Sequence, residues 1–208
     1  GFKMGLFNIG VEGQYLMGSL IAAYIGAQFS VITPLHILFI IIIAVTTSSL
    51  WAAIAGYLKV EKGIHEVIST IMLNYIGTGL IAYSLTTIFD EPNSNYDLPR
   101  TKELPESGKM PPLNTLFNIE DLQDLHGFLV VAVLVGIFYY WLVWKTTLGF
   151  DLRITGSNPI AAKFSGINPN KLVVIAMITS GGFAGLVGLG PLLGLSLIHI
   201  SEPTRRTP

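Results

Sequence analysis

The sequence predicts an all-α protein, a polytopic transmembrane helical bundle with about five membrane spans. Of its 208 residues, 51% are hydrophobic and only 12% are charged, and an ordinary soluble domain has about twice that charged share. The mean hydropathy is +0.61. Apolar runs without charges recur along the chain, close to the roughly 20 helical residues that cross a hydrocarbon core. The runs are continuous rather than alternating, which favours helices as the spanning elements.

Five spans are predicted in order along the chain. They cover residues 13–32, 35–58, 67–89, 127–144 and 172–195. The chain begins at Gly1 without an initiator methionine or a charged leader, so we expect a fragment of a longer protein. Residues 196–208 form a polar tail that resembles a translated adapter or a frame shift, and we expect this tail to be non-native.

Composition and motif searches exclude several classes of function. Lys and Arg total 12 against 13 Asp and Glu, which provides no basic surface for nucleic acid. The absence of cysteine excludes disulfides, thiolate metal sites and a cysteine nucleophile. No phosphate-binding P-loop is present, so ATP hydrolysis would belong to another polypeptide. His65 and Glu66 begin a zinc-protease pattern, but Ser69 replaces its second histidine. We therefore predict no metal site and no catalytic constellation.

Basic residues predict the orientation, because short loops rich in Lys and Arg stay in the cytoplasm. With alternating spans, seven basic residues fall on one side: Lys3, Lys59, Lys62, Lys145, Arg153, Lys163 and Lys171. The long segment 90–126 carries eight acidic residues against three basic ones, and its five prolines disfavour a long helix. We therefore predict that 90–126 is external and 145–171 cytoplasmic. The external loop is either simply solvated or a docking face for an external partner.

A first polar cluster leads directly into the first span and contains Asn8, Glu12 and Gln14. An unpaired carboxylate within a span costs about 2.5 to 3.5 kcal/mol, so Glu12 must face protein, water or the interface. Two interpretations remain open. Glu12 marks the cytoplasmic end of the span, near a favourable helix N-terminus; or Gly10 and Gly13 allow a broken helix beside a solute path.

A second polar cluster lies along the third span at spacings of three and four residues. It consists of Glu66, Ser69, Thr70, Asn74 and Thr78. These side chains share one helical face, which we expect to point into the bundle and to form interhelical hydrogen bonds. Asn74, followed by Tyr75, is the member that also suits a substrate path.

Small residues recur in the fifth span at Gly181, Ala184, Gly185 and Gly188. Their four-residue spacing predicts close packing between two helices, with a pore-lining role as the alternative.

The cytoplasmic segment 145–171 contains its own helix signals. Ser157 or Asn158 can cap a helix, Pro159 suits its first turn, and Gly166 can end it. Such a short helix is marginally stable alone, which favours docking to another protein over resting on lipid headgroups.

These motifs together resemble the permease subunit of bacterial ABC importers for nucleosides and simple sugars, a group related to branched-chain amino acid and ribose permeases. The matching pieces are 8–14, 66–75, 149–166 and 180–188, in the order of that family over nearly the whole chain. The resemblance implies that residues 1–195 are part of an ABC permease transmembrane domain in the bacterial plasma (inner) membrane. A full member has more helices than the five predicted here.

The resemblance also implies that segment 145–171 holds the coupling helix, which fits a cleft in the ATP-binding subunit. The coupling-loop candidates are Arg153, Asn158, Ala161, Ala162 and Gly166. In other importers an acidic residue often precedes the paired alanines, whereas Ile160 stands there in this chain, which leaves the charge pattern of docking open.

The function implied is inward movement of a nucleoside or related simple sugar, with no covalent chemistry and no cofactor on this chain. The implied partners are an ATP-binding subunit that carries the ATP, a second permease subunit, an external substrate-binding lipoprotein and the lipid bilayer. Candidates for the substrate path are Asn8, Glu12, Gln14, Asn74 and Tyr75. Two alternatives are a proton-coupled secondary transporter that uses Glu12 and a non-transporting membrane scaffold.

Overall fold

Helices make up all the regular structure of the residues that the computed structural model describes, which are 1–89, 101–110 and 128–194. We number the α-helices in chain order. They are α1 (Val11–Gly26), α2 (Thr33–Lys62), α3 (Glu66–Thr87), α4 (Phe128–Lys145), α5 (Thr147–Ser157), α6 (Pro159–Phe164), α7 (Pro169–Val187) and α8 (Leu189–Gly194). Short 3-10 turns occur at Phe2–Met4 and Glu106–Gly108. The all-α prediction is confirmed.

Four of the predicted spans, α2, α3, α4 and α7, are long and apolar enough to cross a membrane. The first predicted span is shorter than expected, since α1 has 16 residues and a length of about 24 Å. The hydrocarbon core is about 30 Å thick. The apolar run 13–32 is not one helix, because α1 ends at Gly26 and the backbone is extended at Ile32, where α2 begins.

The 30-residue helix α2 lies at the centre and packs against both α1 and α7. It ends at Lys62, and the next residue, Gly63, has a left-handed φ of 66°. The Gly63 N–H donates to the Lys59 carbonyl at 3.2 Å, and the Ile64 N–H donates to the Leu58 carbonyl at 3.3 Å. Such a C-terminal position favours glycine, which has no Cβ to clash. An ion pair between Lys59 and the buried Glu66 then joins the end of α2 to the start of α3.

Close approach between α2 and α7 depends on two glycines. A Cβ at Gly181 would lie 2.4 Å from the Cβ of Ala52, and one at Gly185 would lie 2.7 Å from the carbonyl oxygen of Ala44. Gly188 faces α1 instead, where an added Cβ would lie 1.9 Å from Ser19 Oγ. All three glycines named from the sequence therefore lie at helix contacts.

The polar face of α3 differs from the expectation of general interhelical hydrogen bonding. Ser69 and Thr70 are buried, but their hydroxyls donate to the carbonyl of Glu66 on the same helix, at 3.1 and 2.7 Å. Thr78 is exposed and bonds to Asn74 O, also on α3. For these three hydroxyls the expectation is wrong, because a hydroxyl reaches the carbonyl three or four residues back more easily than a neighbouring helix.

Part of the predicted external loop, residues 101–110, packs over one end of the bundle. Buried His36 on α2 donates through Nε2 to the carbonyl of Gly26 at 3.0 Å, and its Nδ1 lies 2.9 Å from Ser107 Oγ. The N–H of Met110 donates to the carbonyl of Leu193 at 2.9 Å. The rest of that loop and the predicted tail 196–208 lie outside the described residues.

The glycine contacts predict a position-specific stability effect. Gly181→Ala should lower the free energy of unfolding by about 1–3 kcal/mol, because the new methyl group overlaps Ala52 and the Ser48 carbonyl. The matched control is Gly136→Ala on α4, where an added Cβ meets nothing within 4 Å. Thermal melting of the full-length protein in detergent measures both. Equal melting temperatures for the two variants would contradict a tight α2–α7 contact.

Candidate substrate path and coupling helix

The side chains of Asn8, Gln14 and Ser180 form a hydrogen-bonded cluster, and Asn74 bonds to the backbone beside it. We call these four residues the polar junction. The amides of Asn8 and Gln14 pair reciprocally, with Asn8 Nδ2 to Gln14 Oε1 at 2.9 Å and Gln14 Nε2 to Asn8 Oδ1 at 3.0 Å. Asn8 Nδ2 also donates to Ser180 Oγ on α7 at 2.9 Å. The segment before α1 is thereby tied to α7.

Asn74 caps the start of α1 from a neighbouring helix. Its Oδ1 accepts the Gly13 N–H at 2.9 Å, and its Nδ2 donates to the Ile9 carbonyl at 3.0 Å. The first N–H groups of a helix have no partner within it, and Gly10 at the α1 N-cap makes no side-chain cap. An added Cβ at Gly13 would lie 2.8 Å from Asn74 Oδ1. Glycine is therefore what lets the amide approach.

The polar junction lies near the middle of the bundle rather than at its edge. Helix α7 is antiparallel to α2, since Gly56 meets Val174 whereas Gly185 meets Ala44. At 1.5 Å per residue, Ser180 is about 16 Å along α7, and Asn74 is about 12 Å along α3. Non-helical backbone at membrane depth is tolerated only where protein buries it or where it lines a cavity.

Of the five predicted path residues, the polar junction brings together Asn8, Gln14 and Asn74. Glu12 is instead exposed in the first turn of α1, and Tyr75 is exposed on α3. Sequence reasoning missed Ser48, a buried α2 residue whose hydroxyl donates to the Gln14 carbonyl at 2.7 Å. Its only signal was a short run of hydroxyl residues at 46–49 within an otherwise apolar span.

The predicted short helix after the fourth span is present as α6. Asn158 Oδ1 accepts the N–H groups of Ile160 and Ala161 at 3.1 and 3.0 Å, and Pro159 occupies the first turn. Gly166 follows the helix with a φ of 83°. Ala162 is buried against the protein, whereas two apolar side chains one turn apart are highly exposed, Ile160 at 70% and Phe164 at 89%.

The sequence did not predict α5, which precedes α6 and makes the segment 145–171 largely helical. Thr146 caps α5 by accepting the Gly149 N–H at 3.0 Å. Two glycines, Gly149 and Gly156, weaken the helical pattern of this segment in the sequence but allow close packing in the structure. A Cβ at Gly149 would lie 2.3 Å from the Leu142 carbonyl oxygen. A Cβ at Gly156 would lie 1.8 Å from the Lys3 carbonyl oxygen. Helix α5 thus packs directly on the segment before α1.

Arg153, the remaining coupling-loop candidate, lies on α5 rather than on α6. Its guanidinium carbon is 4.5 Å from the centroid of the Trp144 ring. No cluster of three or more His, Asp or Glu side chains suited to a metal ion occurs among the residues described.

The structure has the features of a membrane transport subunit. It combines several apolar helices long enough to span a membrane, a polar junction about halfway along them and a short helix with an exposed apolar face. Comparison with known proteins then gives the family. Residues 2–202 match the family described as the permease component of the branched-chain amino acid transport system, and this chain belongs to that family. Together with the four candidate spans, this makes the chain a multi-pass protein of the plasma membrane.

The chain is similar to several curated ABC transporter permeases. A guanosine permease protein of Bacillus subtilis is 36% identical over 93% of this chain and 54% of its own length. A glucose permease protein of Haloferax volcanii is 29% identical over 92% and 51%, and a nucleoside permease protein of Lactococcus lactis is 29% identical over 90% and 52%. The chain thus spans about half the length of these relatives. No solved structure gives a significant match.

These relatives fit the importer interpretation of the sequence and do not favour the two alternatives, the secondary transporter that uses Glu12 and the scaffold.

The geometry of the polar junction predicts that Asn74 matters more for stability than its polar neighbour on α3. Asn74→Leu should lower the free energy of unfolding by about 1–3 kcal/mol, because the Gly13 N–H and the Ile9 carbonyl lose their partner. Thr78→Val is the control, since that hydroxyl bonds only within α3. Thermal melting of the full-length protein checks both, and similar losses for the two variants would contradict the capping role.

Proposed function

We propose that this chain is part of the pore-forming subunit of an ABC importer that moves nucleosides or related simple sugars into the cell. Its family membership and the printed names of its relatives, which include guanosine, nucleoside and glucose permeases, support the transport class. The observation that carries the mechanism is α6, a capped helix outside the spans that presents two exposed apolar side chains. ATP hydrolysis then belongs to a separate ATP-binding subunit.

The exposed face of α6 is suited to dock that subunit. Helix α6 packs mainly on its neighbours α5 and α7, and the side chains of Ile160 and Phe164 are left largely exposed. Burying a Phe side chain contributes about 1.5–3 kcal/mol relative to leaving it in water. A complementary cleft would therefore gain most from Phe164. Lys163, exposed between them, would lie at the rim of such a contact.

Two routes lead from α6 to the polar junction. On one side, α5 contacts Lys3 through Gly156, and the chain continues from Lys3 to Asn8. On the other side, α7 carries Ser180. The routes meet in the hydrogen bond from Asn8 to Ser180. We propose that a shift of α6 on the ATP-binding subunit alters this contact, since packed helices move as rigid elements.

The polar junction suits a neutral solute. Its side chains are amides and a hydroxyl, which can donate and accept hydrogen bonds without fixed charge. Glu12 lies one turn from Asn8 along the chain but is exposed. Anionic substrates are usually held by Lys or Arg in a transport path, and none belongs to the junction. We propose that Asn8, Gln14 and Asn74 border the path and exchange some of these bonds for bonds to the solute.

The remaining partners follow from the uncovered surfaces. Helix α4 buries none of its residues, and α3 exposes large apolar side chains such as Tyr75 and Ile76. We propose that lipid, further parts of the protein and a second permease subunit cover these faces. We also propose that residues 101–110, fixed on the helix ends by His36, belong to the external face that receives a substrate-binding lipoprotein. Segment 145–171 would then be cytoplasmic.

The docking proposal predicts a specific loss of coupling. In the full-length importer, Phe164→Asp should reduce co-purification of the ATP-binding subunit and uptake at least tenfold, because a charge replaces the exposed apolar side chain without touching the core. Ile64→Asp, an exposed apolar position in the α2–α3 turn, is the control and should retain both. Phe164 is a better test than Gly166, whose positive φ would strain any other residue. Normal uptake by Phe164→Asp would refute docking through α6.

The solute class is tested by uptake into cells or proteoliposomes that contain the complete importer. Labelled guanosine or uridine should accumulate in an ATP-dependent, vanadate-sensitive manner, because a neutral ribosyl solute matches the amides and hydroxyl of the polar junction. Leucine at the same concentration should not compete. Transport of leucine with no uptake of either nucleoside would remove the nucleoside assignment and leave the permease family in place.

A further inference from the structure

A cavity of about 360 Å³ lies beside the end of α4 and reaches the polar junction at Ser180, which is part of its wall. Its wall includes Lys3, Tyr139, Leu142, Val143, Arg153 and Phe183. The cavity therefore combines two cationic side chains with an apolar interior. It opens next to α4, the span with no buried residues.

The two cations of this cavity converge on one aromatic ring. Lys3 Nζ lies 5.5 Å and the Arg153 guanidinium carbon 4.5 Å from the centroid of the Trp144 ring. Trp144 is in the last turn of α4, where tryptophan marks the membrane–water boundary. No carboxylate in the described part of the chain forms an ion pair with either cation. Two cationic side chains beside one ring at the end of a span attract an anion.

The apolar part of the cavity separates α4 from α7. Aromatic rings on the two helices approach each other there, with the Tyr139 and Phe183 centroids 5.7 Å apart and those of Phe138 and Phe183 6.4 Å apart. Leu142 and Val143 continue this lining toward Trp144. The result is a mostly apolar slot that has two cationic side chains in its wall and lies next to the end of a span. This shape matches one acyl chain with a phosphate headgroup above it.

We propose that this cavity binds an anionic phospholipid, whose phosphate is attracted by Lys3 and Arg153 and whose acyl chain enters beside Phe183. Since Arg153 is on α5 and Lys3 contacts α5 at Gly156, the bound headgroup would hold α5 on the segment before α1. Lipid would thereby stabilise one of the two routes between α6 and the polar junction.

The test uses the full-length importer in nanodiscs or detergent, titrated with phosphatidylglycerol or phosphatidylcholine and read by native mass spectrometry. Phosphatidylglycerol should be retained in preference to phosphatidylcholine. Each of Lys3→Gln and Arg153→Gln should weaken its retention about fivefold, as expected for one basic residue near an anionic headgroup. Lys171→Gln, a basic residue at the start of α7 that does not line the cavity, should leave retention unchanged.

A second variant separates a built site from general surface charge. Leu142→Trp keeps both cations but fills the apolar slot, and α4 should tolerate the change because it buries no residue. We expect Leu142→Trp to lose phosphatidylglycerol as strongly as the double variant Lys3→Gln/Arg153→Gln. Five results would each overturn the proposal. In the binding assay they are equal retention of both lipids, unchanged retention by Leu142→Trp, an effect of Lys171→Gln equal to that of the cavity variants, and displacement of the lipid by inorganic phosphate alone. The fifth is a full-length structure in which protein occupies the slot.

Discussion

The requirement that non-helical backbone at membrane depth must find hydrogen-bond partners governs the centre of this protein. The segment before α1 runs at that depth, where each unpaired N–H or C=O costs several kcal/mol. The Asn74 side chain bonds to the Gly13 N–H and the Ile9 carbonyl, and the Asn8 side chain accepts the Gly10 N–H. The amides that make the backbone tolerable are the same groups that would meet a solute. If the proposed path is correct, stability and transport depend on the same side chains, and a solute would have to replace the hydrogen bonds that it displaces.

The small residues have a complementary role, since they bring the helices close enough for these bonds to form. Gly181 and Gly185 allow α7 to approach α2, and Gly13 allows α3 to approach α1. Between helices in lipid, van der Waals contact and hydrogen bonds replace the hydrophobic driving force that acts in water. Ser48 lies where α1, α2 and α7 meet and donates to the Gln14 carbonyl. Polar bonding and close packing thus meet at the same place in the bundle.

The outer surfaces differ from the core because they leave large apolar side chains exposed. Helix α6 is fixed by the Asn158 cap and by buried Ala162 but leaves Phe164 exposed, and the proposed docking of an ATP-binding subunit rests on this exposure. Helix α5 was the unexpected element, and its packing on Lys3 connects the exposed helix to the segment that forms the polar junction. The chain therefore consists of a helical core that contains the polar junction and a helical pair, α5 and α6, attached to it.

The sequence by itself determined the helical class. Its long, continuous apolar runs with few charges fit a bilayer as helices, which satisfy their own backbone hydrogen bonds. It also determined α6, because Asn158, Pro159 and Gly166 act through local backbone geometry. Only the tertiary structure decided that Ser69 and Thr70 bond back to their own helix, that Glu12 and Tyr75 face outward, and that Ser48 and Ser180 join Asn8 and Gln14. A periodic pattern gives the face of a helix, whereas the partner of that face depends on residues far away in the chain, such as Asn8 and Ser180.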